Sequence, residues 1–257
     1  MKKIFLLSFI ICALNSFSQQ EGRMETDRPD QTESVIITKK NYVQVEVGFN
    51  IEKNNGIKTL VHPTTLLKYG LSKRFEFRLI TEFVSTETPI LIPAGNEIIS
   101  GLLPVQIGGK LALSKEKGIL PQTALLFHIA HPKLGSKKFH NEKWAPNFRF
   151  SMQHTLSENI GLGYNLGAEW DGYSNTPYWV YTFAPGFNLG KNWYGYFEAF
   201  GAVRKNELPQ HYLDGGLAVY VNDNLKLDIS SGFGLNDAAQ DWYGAIGFSF
   251  RFNTKKK

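Results

Sequence analysis

Hydrophobic and polar residues alternate strictly over residues 241–252, just before the polar tail of the chain. One parity is apolar or aromatic and ends at Phe252, while the other holds small or charged residues such as Asp241, Ser249 and Arg251. Successive side chains of a strand point to opposite faces, so this pattern predicts a strand with one apolar and one polar face. The closing strand of a bacterial outer-membrane barrel and a strand of a soluble sandwich both fit it.

The same alternation recurs in further segments along most of the chain. Turn-forming residues such as Asn55-Gly56 separate these segments. Pro63 within the second segment predicts an irregular ladder. We expect longer connections at about 85–103 and at 132–145, the second of them basic. The predicted strands are 42–52, 57–70, 75–84, 104–113, 121–131, 146–154, 160–171, 178–189, 193–204, 212–221, 225–233 and 241–252.

The charged residues distinguish a membrane barrel from a soluble sandwich. Where a predicted strand carries several charges they share one face, as Glu76, Arg78 and Glu82 do. A basic or acidic residue that faces lipid at the bilayer midplane costs up to about 2–4 kcal/mol, so a lipid-facing band excludes it. The sequence therefore predicts an all-β protein: a single transmembrane antiparallel β-barrel of about twelve strands behind a polar N-terminal arm, with both barrel termini at the periplasmic side.

The ends of the chain suggest processing. Lys2 and Lys3 precede an apolar run at 4–14 and small residues up to Ser18, which is typical of a cleaved secretory signal peptide at 1–18. Cys12, the single cysteine, lies within it, so we expect no thiol chemistry in the mature chain. The arm is then 19–40, the barrel 41–252 and a basic tail 253–257.

Charge and motifs exclude several functions. The formal charge of +5 falls to +3 without Lys2 and Lys3, and the three final lysines account for the rest, so we expect no nucleic-acid partner. Outer-membrane lipases pair a histidine with a serine two residues later, on the same face of a strand. No histidine of this chain has a serine at that position. His128 and His131 point to opposite strand faces, and we interpret them as rim histidines. We predict no enzyme activity, no cofactor and no metal.

The polar parity of the strands is where a pore lining would lie. A structural network of ion pairs filling a narrow lumen is the alternative for the charged positions, and plain packing is the alternative for the aromatic ones. The charged candidates for the lumen are Glu46, Arg78, Glu82, Lys110, Arg149, Glu169, Glu198, Arg204, Asp214 and Asp228. The aromatic candidates are Tyr194, Tyr196, Phe200, Tyr220 and Tyr243.

The arm and the first three strands carry a resemblance. The segments Thr26-Asp27-Arg28-Pro29-Asp30-Gln31-Thr32-Glu33-Ser34, Tyr42 to Phe49, Thr64 to Leu71 and Phe75 to Leu79 resemble a Bacteroidetes-type branch of the outer-membrane transporter family labelled "putative MetA-pathway of phenol degradation". The resemblance is strongest over 26–83 and extends to 252. It implies passage of small, often aromatic compounds across the outer membrane. The family has no defined site pattern from which roles could be assigned to individual residues of this chain.

The charged arm also suggests a plug. Asp27, Arg28, Asp30 and Glu33 lie beside the stiff Pro29, directly upstream of the first strand. We expect them either to fold into the lumen and pair with its charges or to form a free periplasmic tail.

The favoured function is an outer-membrane channel for passive passage of small solutes, aromatic or hydrophobic ones included. A lipid-acting barrel enzyme and a closed structural or adhesive barrel are the alternatives, the last with the basic loop 132–145 meeting the anionic cell surface. The expected partners are outer-membrane lipid and lipopolysaccharide, a small-molecule solute, and the barrel-assembly machinery through the C-terminal strand.

Overall fold

The computed structural model describes residues 22–90 and 95–255, so the predicted signal peptide lies outside the described residues. A short 3-10 helix at Lys137–Phe139 lies between β6 and β7. The strands of the described chain are β1 (Tyr42–Asn54), β2 (Ile57–Gly70), β3 (Phe75–Ile90), β4 (Gly95–Leu102), β5 (Gln106–Ser114), β6 (Gln122–Ala130), β7 (Ala145–Thr155), β8 (Ile160–Glu169), β9 (Tyr178–Leu189), β10 (Trp193–Val203), β11 (Gln210–Asn222), β12 (Leu225–Gly234) and β13 (Trp242–Asn253).

Twelve of these strands close into one antiparallel barrel, which confirms the predicted fold. Neighbouring strands pair in the order β1, β2, β3, β5 and then β6 through β13. The final strand pairs with the first, with Phe252 opposite Val43, and this pairing closes the barrel. Closure removes the unpaired sheet edges that a strand-built membrane protein has to avoid.

The thirteenth strand, β4, corrects the prediction of a long connection at 85–103. Phe75–Ile80 of β3 pairs with β5, whereas Phe83–Ile90 pairs with β4, so β3 and β4 form a hairpin beyond the β5 ladder. Residues 95–98 of β4 are exposed. Apart from Val84 and Gly101 the hairpin is exposed or only partly buried, so it lacks the sustained apolar alternation that identifies a strand. The irregularity predicted at Pro63 is confirmed, because the β2–β3 register shifts between Val61 and Thr64.

Apolar and charged side chains are distributed inside out. Phe197 is 69% exposed and Ile246 57%, while Arg78, Lys68 and Lys110 are the largest of the fully buried side chains. In a soluble protein the large apolar residues are usually buried, and charged residues of this kind are almost never fully buried without partners. An apolar outer belt around a polar interior is the distribution of a transmembrane barrel. Among the described residues, no helix has the length and apolar character that crossing a membrane requires.

The two ends of the barrel differ. We call the end that holds Tyr42 and Asn253 the inner end, and the end that holds the β3–β4 hairpin the outer end. Inner turns such as 71–74 and 190–192 are mostly short, whereas the outer connections 131–144, 170–177, 204–209 and 235–241 are longer. The outer loop 131–144 carries the exposed lysines Lys133, Lys137, Lys138 and Lys143.

Candidate functional site

The arm, here residues 22–41, runs through the barrel interior and returns. At the inner end the amide of Met24 donates to the carbonyl of Asp223, 3.0 Å away, between β11 and β12. The arm comes back to the same end, where the amide of Asn41 donates to the carbonyl of Gly70 at 2.8 Å. Between these points its residues bond to strands all around the wall, so the arm occupies the lumen rather than forming a free tail.

Asp27 is the centre of the first group of contacts. Its carboxylate lies 2.7 Å from the Nζ of Lys110, and 2.8 Å from both the Nζ of Lys68 and an Nη of Arg78. Glu46 pairs with Lys68, and Glu76 lies 3.2 Å from Arg78. We call these six residues the Asp27 cluster. Its cations come from β2, β3 and β5, so barrel closure brings them together around one arm carboxylate.

The two glutamates of the Asp27 cluster also hold the arm backbone. The amides of Asp27 and Arg28 donate to Glu46 at 3.0 and 3.1 Å, and the amide of Thr38 donates to Glu76 at 2.6 Å. Glu33 lies 3.1 Å from Arg78, although it is less buried than the cluster. Charge-assisted bonds of this kind are roughly twice as strong as neutral ones, so this side of the lumen binds the arm firmly.

A second group of contacts lies across the barrel. Glu198 of β10, six strands round the wall from β3, accepts the amide of Gln31 at 2.7 Å and the hydroxyl of Thr32 at 2.6 Å. Asp214 accepts the hydroxyl of Tyr243. We call Glu198, Asp214, Tyr196 and Tyr243 the acidic cluster. Within the described chain it has no salt-bridge partner.

Arg28 binds a third part of the wall. One Nη lies 2.8 Å from Asp228 of β12, and the Nζ of Lys226 donates to the carbonyl of Arg28 at 2.7 Å. The guanidinium passes over Gly48 and Gly247, which are paired across β1 and β13. A Cβ added at Gly48 would be 2.1 Å from an Arg28 Nη, so the absence of a side chain there makes room for the arginine.

The arm carboxyls have opposite electrostatic environments. Burial favours the neutral form of Asp27, but Lys110, Lys68 and Arg78 outweigh it and hold the pKa of its carboxyl well below its usual range. Burial raises the pKa of Asp30 to about 8, with Asp214 adding to the rise and Lys226 opposing it. Burial also raises the pKa of Glu33. Asp27 is therefore an anion in the lumen, while Asp30 is largely protonated at neutral pH.

Other predicted lumen charges lie nearer the outer end. The Nε of Arg149 donates to Glu169 at 2.9 Å, and an Nη donates to the carbonyl of Gln31 at 2.9 Å. Glu82 accepts the hydroxyl of Thr64 at 2.9 Å. Arg204 corrects a prediction, because it lies in the loop after β10 rather than in the lumen, 2.8 Å from Asp171 of the β8–β9 loop. The predicted strand is one residue too long there.

The five aromatic candidates share the inward parity of their strands. Tyr196, Tyr220 and Tyr243 are buried. Tyr194 stacks against Tyr196 with 6.4 Å between ring centroids, and Phe200 stacks on Tyr212 at 4.7 Å. Arg23 of the arm lies over the ring of Tyr220, 3.9 Å from its centroid. The tyrosines therefore contact the arm as well as each other.

Several lumen residues were missing from the sequence-based set. They are Gln44, Lys68, Glu76, His128, Asn165, Thr182 and Lys226. Strand alternation could have found them, but it does not say which polar positions meet the arm. His128 is a correction: it is buried, the Nε of Arg78 donates to its Nε2 at 3.1 Å, and its Nδ1 lies 3.2 Å from Asn147. It belongs to the lumen network and not to the rim.

Comparison with known proteins adds to this geometry. The family model described as "Putative MetA-pathway of phenol degradation" matches residues 26–252, which covers the arm from Thr26 and the whole barrel. A search of curated proteins found no significant match.

Solved structures with the same fold include outer-membrane channels. An outer membrane channel from Pseudomonas putida F1 superposes with a TM-score of 0.66 at 10% identity, covering 89% of this chain and 100% of that one. The KdgM porin superposes with a TM-score of 0.54 at 10% identity, covering 81% of this chain and 99% of that one. The NanC porin superposes with a TM-score of 0.53 at 10% identity, covering 81% of this chain and 98% of that one. At these identities the likeness establishes the fold, that of a closed outer-membrane β-barrel.

Proposed function

The chain belongs to the family described as "Putative MetA-pathway of phenol degradation", and we propose that it is an outer-membrane channel for passive passage of small solutes. Aromatic and hydrophobic compounds are included in this class. The observation that carries the proposal is a barrel whose charged lumen is occupied by a segment of its own chain, the arm, held there by side-chain contacts.

The size of the barrel supports a pathway. Eight strands leave an interior just wide enough for side chains to fill, and sixteen or more leave an aqueous channel. Twelve strands enclose an intermediate space, and here the arm fills part of it. The fold is shared with outer-membrane channels and porins, which agrees with this use of the interior.

The arm acts as the gate in this proposal. Asp27 and Arg28 bind different sectors of the wall, and Gln31 and Thr32 bind a third. Each contact is a polar one that water or a solute can replace. Because the arm enters and leaves at the inner end, it can move toward that side without breaking a pairing between two barrel strands.

Lumen chemistry favours a channel over an enzyme. His128 is the buried histidine of the lumen network, and its two ring nitrogens face Arg78 and Asn147 rather than a serine or threonine hydroxyl. A nucleophile activated by histidine needs that hydroxyl within hydrogen-bond reach. Outside this network the Nε2 of the exposed His62 does lie 2.8 Å from the Oγ of Ser85, but in the described chain no carboxylate hydrogen-bonds to that ring to orient it. The barrel-enzyme alternative therefore has a histidine–hydroxyl pair but no triad within the described residues.

Two partners follow from the surface. The exposed lysines of the outer loop 131–144 face the side where the anionic head groups of lipopolysaccharide would lie, next to the exposed Trp144. The C-terminal strand β13, with its outward aromatics, is the element that the barrel-assembly machinery would recognise. A cleaved signal peptide at 1–18 would deliver the chain to this route.

Single-channel conductance of the refolded mature protein in a planar bilayer tests the function. We expect discrete openings that become larger when residues 19–40 are deleted. Silence in both forms would overturn the channel proposal and favour a closed structural barrel. Folding of each form is checked by the faster migration of unheated barrels in detergent gels, so that silence is not mistaken for misfolding.

A further inference from the structure

Three buried cations converge on one carboxylate in the Asp27 cluster. The side chains of Lys68, Arg78 and Lys110 are at most 2% exposed and lie within 2.8 Å of the Asp27 oxygens. The amide of Ser34 donates to the same carboxylate at 3.0 Å. Each cation is fixed on a barrel strand, whereas Asp27 is on the arm, so the wall holds the donors and the arm supplies the acceptor.

The charges of the wall do not balance without the arm. The strands contribute Lys68, Arg78 and Lys110 against Glu46 and Glu76, which leaves one positive charge in excess. Asp27 neutralises it in the docked arm. Glu33, 3.1 Å from Arg78 and 3.7 Å from Lys110, is a second arm carboxyl at the edge of the site, and burial raises its pKa. A buried cation without a partner is strongly unfavourable, so the excess positive charge of the wall attracts an anion whenever the arm is displaced.

We propose that Lys68, Arg78 and Lys110 form a binding site for the carboxylate of an organic monoanion, and that Asp27 occupies this site as an internal surrogate while the arm is docked. The inference rests on the proposed channel with a movable arm and names its substrate class. The solute carboxylate takes the place of the Asp27 carboxylate and thereby stabilises the open state.

The neighbouring glutamates limit the charge of the ligand. Glu76 lies 3.2 Å from Arg78 and 3.9 Å from Lys110, and Glu46 pairs with Lys68. These carboxylates repel a dianion such as a phosphate monoester more strongly than a single carboxylate. A monocarboxylate meets this condition, and benzoate is the probe, with neutral benzamide as its matched control.

Binding is measured by titration calorimetry on the full mature protein in detergent. In the wild type Asp27 competes with the probe, so Asp27→Asn should bind benzoate at least tenfold more tightly and leave benzamide binding unchanged. The matched control is Asp171→Asn, which removes a carboxylate 2.8 Å from Arg204 in the outer loops, away from the arm, and should behave as wild type. Adding Lys110→Met to Asp27→Asn should abolish the gain. Equal benzoate affinity in wild type and Asp27→Asn would overturn the proposal.

A second measurement needs no variant. Hydrogen exchange of the arm amides at residues 26–34 in wild type should accelerate with benzoate and not with benzamide, because benzoate displaces Asp27. Unchanged exchange at saturating benzoate would also overturn the proposal. Both tests use detergent-solubilised protein and no ion current. Loss of carboxylate binding is therefore distinguishable from failure of the channel function, which would appear as silent bilayers.

Discussion

The guanidinium of Arg28 lies 2.8 Å from the carboxylate of Asp228, 200 positions further along the chain. The preceding residue, Asp27, binds cations of β2, β3 and β5, while Asp228 belongs to β12. Two adjacent arm residues of opposite charge thus hold two different sectors of the barrel. The arm is fixed across the lumen rather than along one wall.

Replacing Arg28 should loosen the arm. Arg28→Gln removes a charge-assisted contact and leaves Asp228 without its cation, a loss of about 1.5–3 kcal/mol. The equilibrium between docked and undocked arm should shift by roughly ten- to hundredfold toward undocking. We expect faster hydrogen exchange over residues 26–34 and a higher open probability in bilayers.

The matched control is an arginine–aspartate pair outside the lumen. Arg204 and Asp171 are also 2.8 Å apart but join two outer loops, so Arg204→Gln should leave arm exchange unchanged. The charge-reversed pair Arg28→Asp with Asp228→Arg should recover part of the docking. If Arg204→Gln opens the barrel as much as Arg28→Gln does, the Arg28 contact is not the restraint.

Gly48→Ala should loosen the arm as Arg28→Gln does, because it changes the wall position over which the Arg28 guanidinium lies. The three atoms nearest to a Cβ at Gly48 all belong to the Arg28 guanidinium, so the methyl group displaces the arginine. Combining the two substitutions should add little, because both remove one contact. The control is Gly161→Ala, where the nearest atoms are 3.8 Å or more away. Full additivity in exchange rates would contradict a shared contact.

Strand alternation made the barrel predictable. The spans 57–70 and 178–189 agree with β2 and β9 at both ends, since each is bounded by turn residues and has an apolar face toward lipid. The same alternation placed Glu46, Arg78 and Glu198 inside, because lipid excludes charge from the other face. The local sequence of a strand is sufficient for this part of the fold.

The partners of the arm were not predictable in the same way. Asp27 meets Lys68, Arg78 and Lys110 only because β2, β3 and β5 become neighbours in the closed barrel, and no local pattern encodes that meeting. His128 looked like a rim residue because its contacts with Arg78 and Asn147 come from other strands. Arg204 fits the alternation of the preceding strand, but β10 ends one residue earlier, at Val203.

The basic outer loop should bind lipopolysaccharide. Replacing Lys133, Lys137, Lys138 and Lys143 together with glutamine removes four exposed positive charges from one loop. We expect at least tenfold weaker binding of purified lipopolysaccharide to the refolded barrel at low ionic strength. The difference should shrink at high salt, because screening weakens contacts between exposed charges.

Lysines at the inner end provide the control for this loop. Glutamine at Lys73, Lys115, Lys117 and Lys191 removes the same number of exposed charges from the opposite rim. This variant should keep wild-type affinity for lipopolysaccharide. Equal losses in both variants would show that net charge, and not the outer loop, controls the binding.

Asp30 should make the arm respond to pH. In the docked arm the pKa of Asp30 is raised to about 8 by burial and by Asp214, against the ordinary 3.8 in an undocked arm. Below about pH 4 the carboxyl is protonated in both states, and above about pH 8 it is ionised in both. Between these values undocking releases a proton, so docking weakens as pH rises, by at most about tenfold per pH unit for one group.

Channel opening should therefore increase from about pH 4 to about pH 8 and then level off. Asp30→Asn keeps the size of the side chain but cannot ionise, so its opening should depend less on pH over the same range. Some dependence should remain, because burial also raises the pKa of Glu25 and Glu33 in the arm. The lowered pKa of Asp27 acts only in more acidic solution. Open probability in bilayers, measured from pH 4.5 to 9 for both proteins, decides the matter: parallel profiles would mean that Asp30 does not control docking.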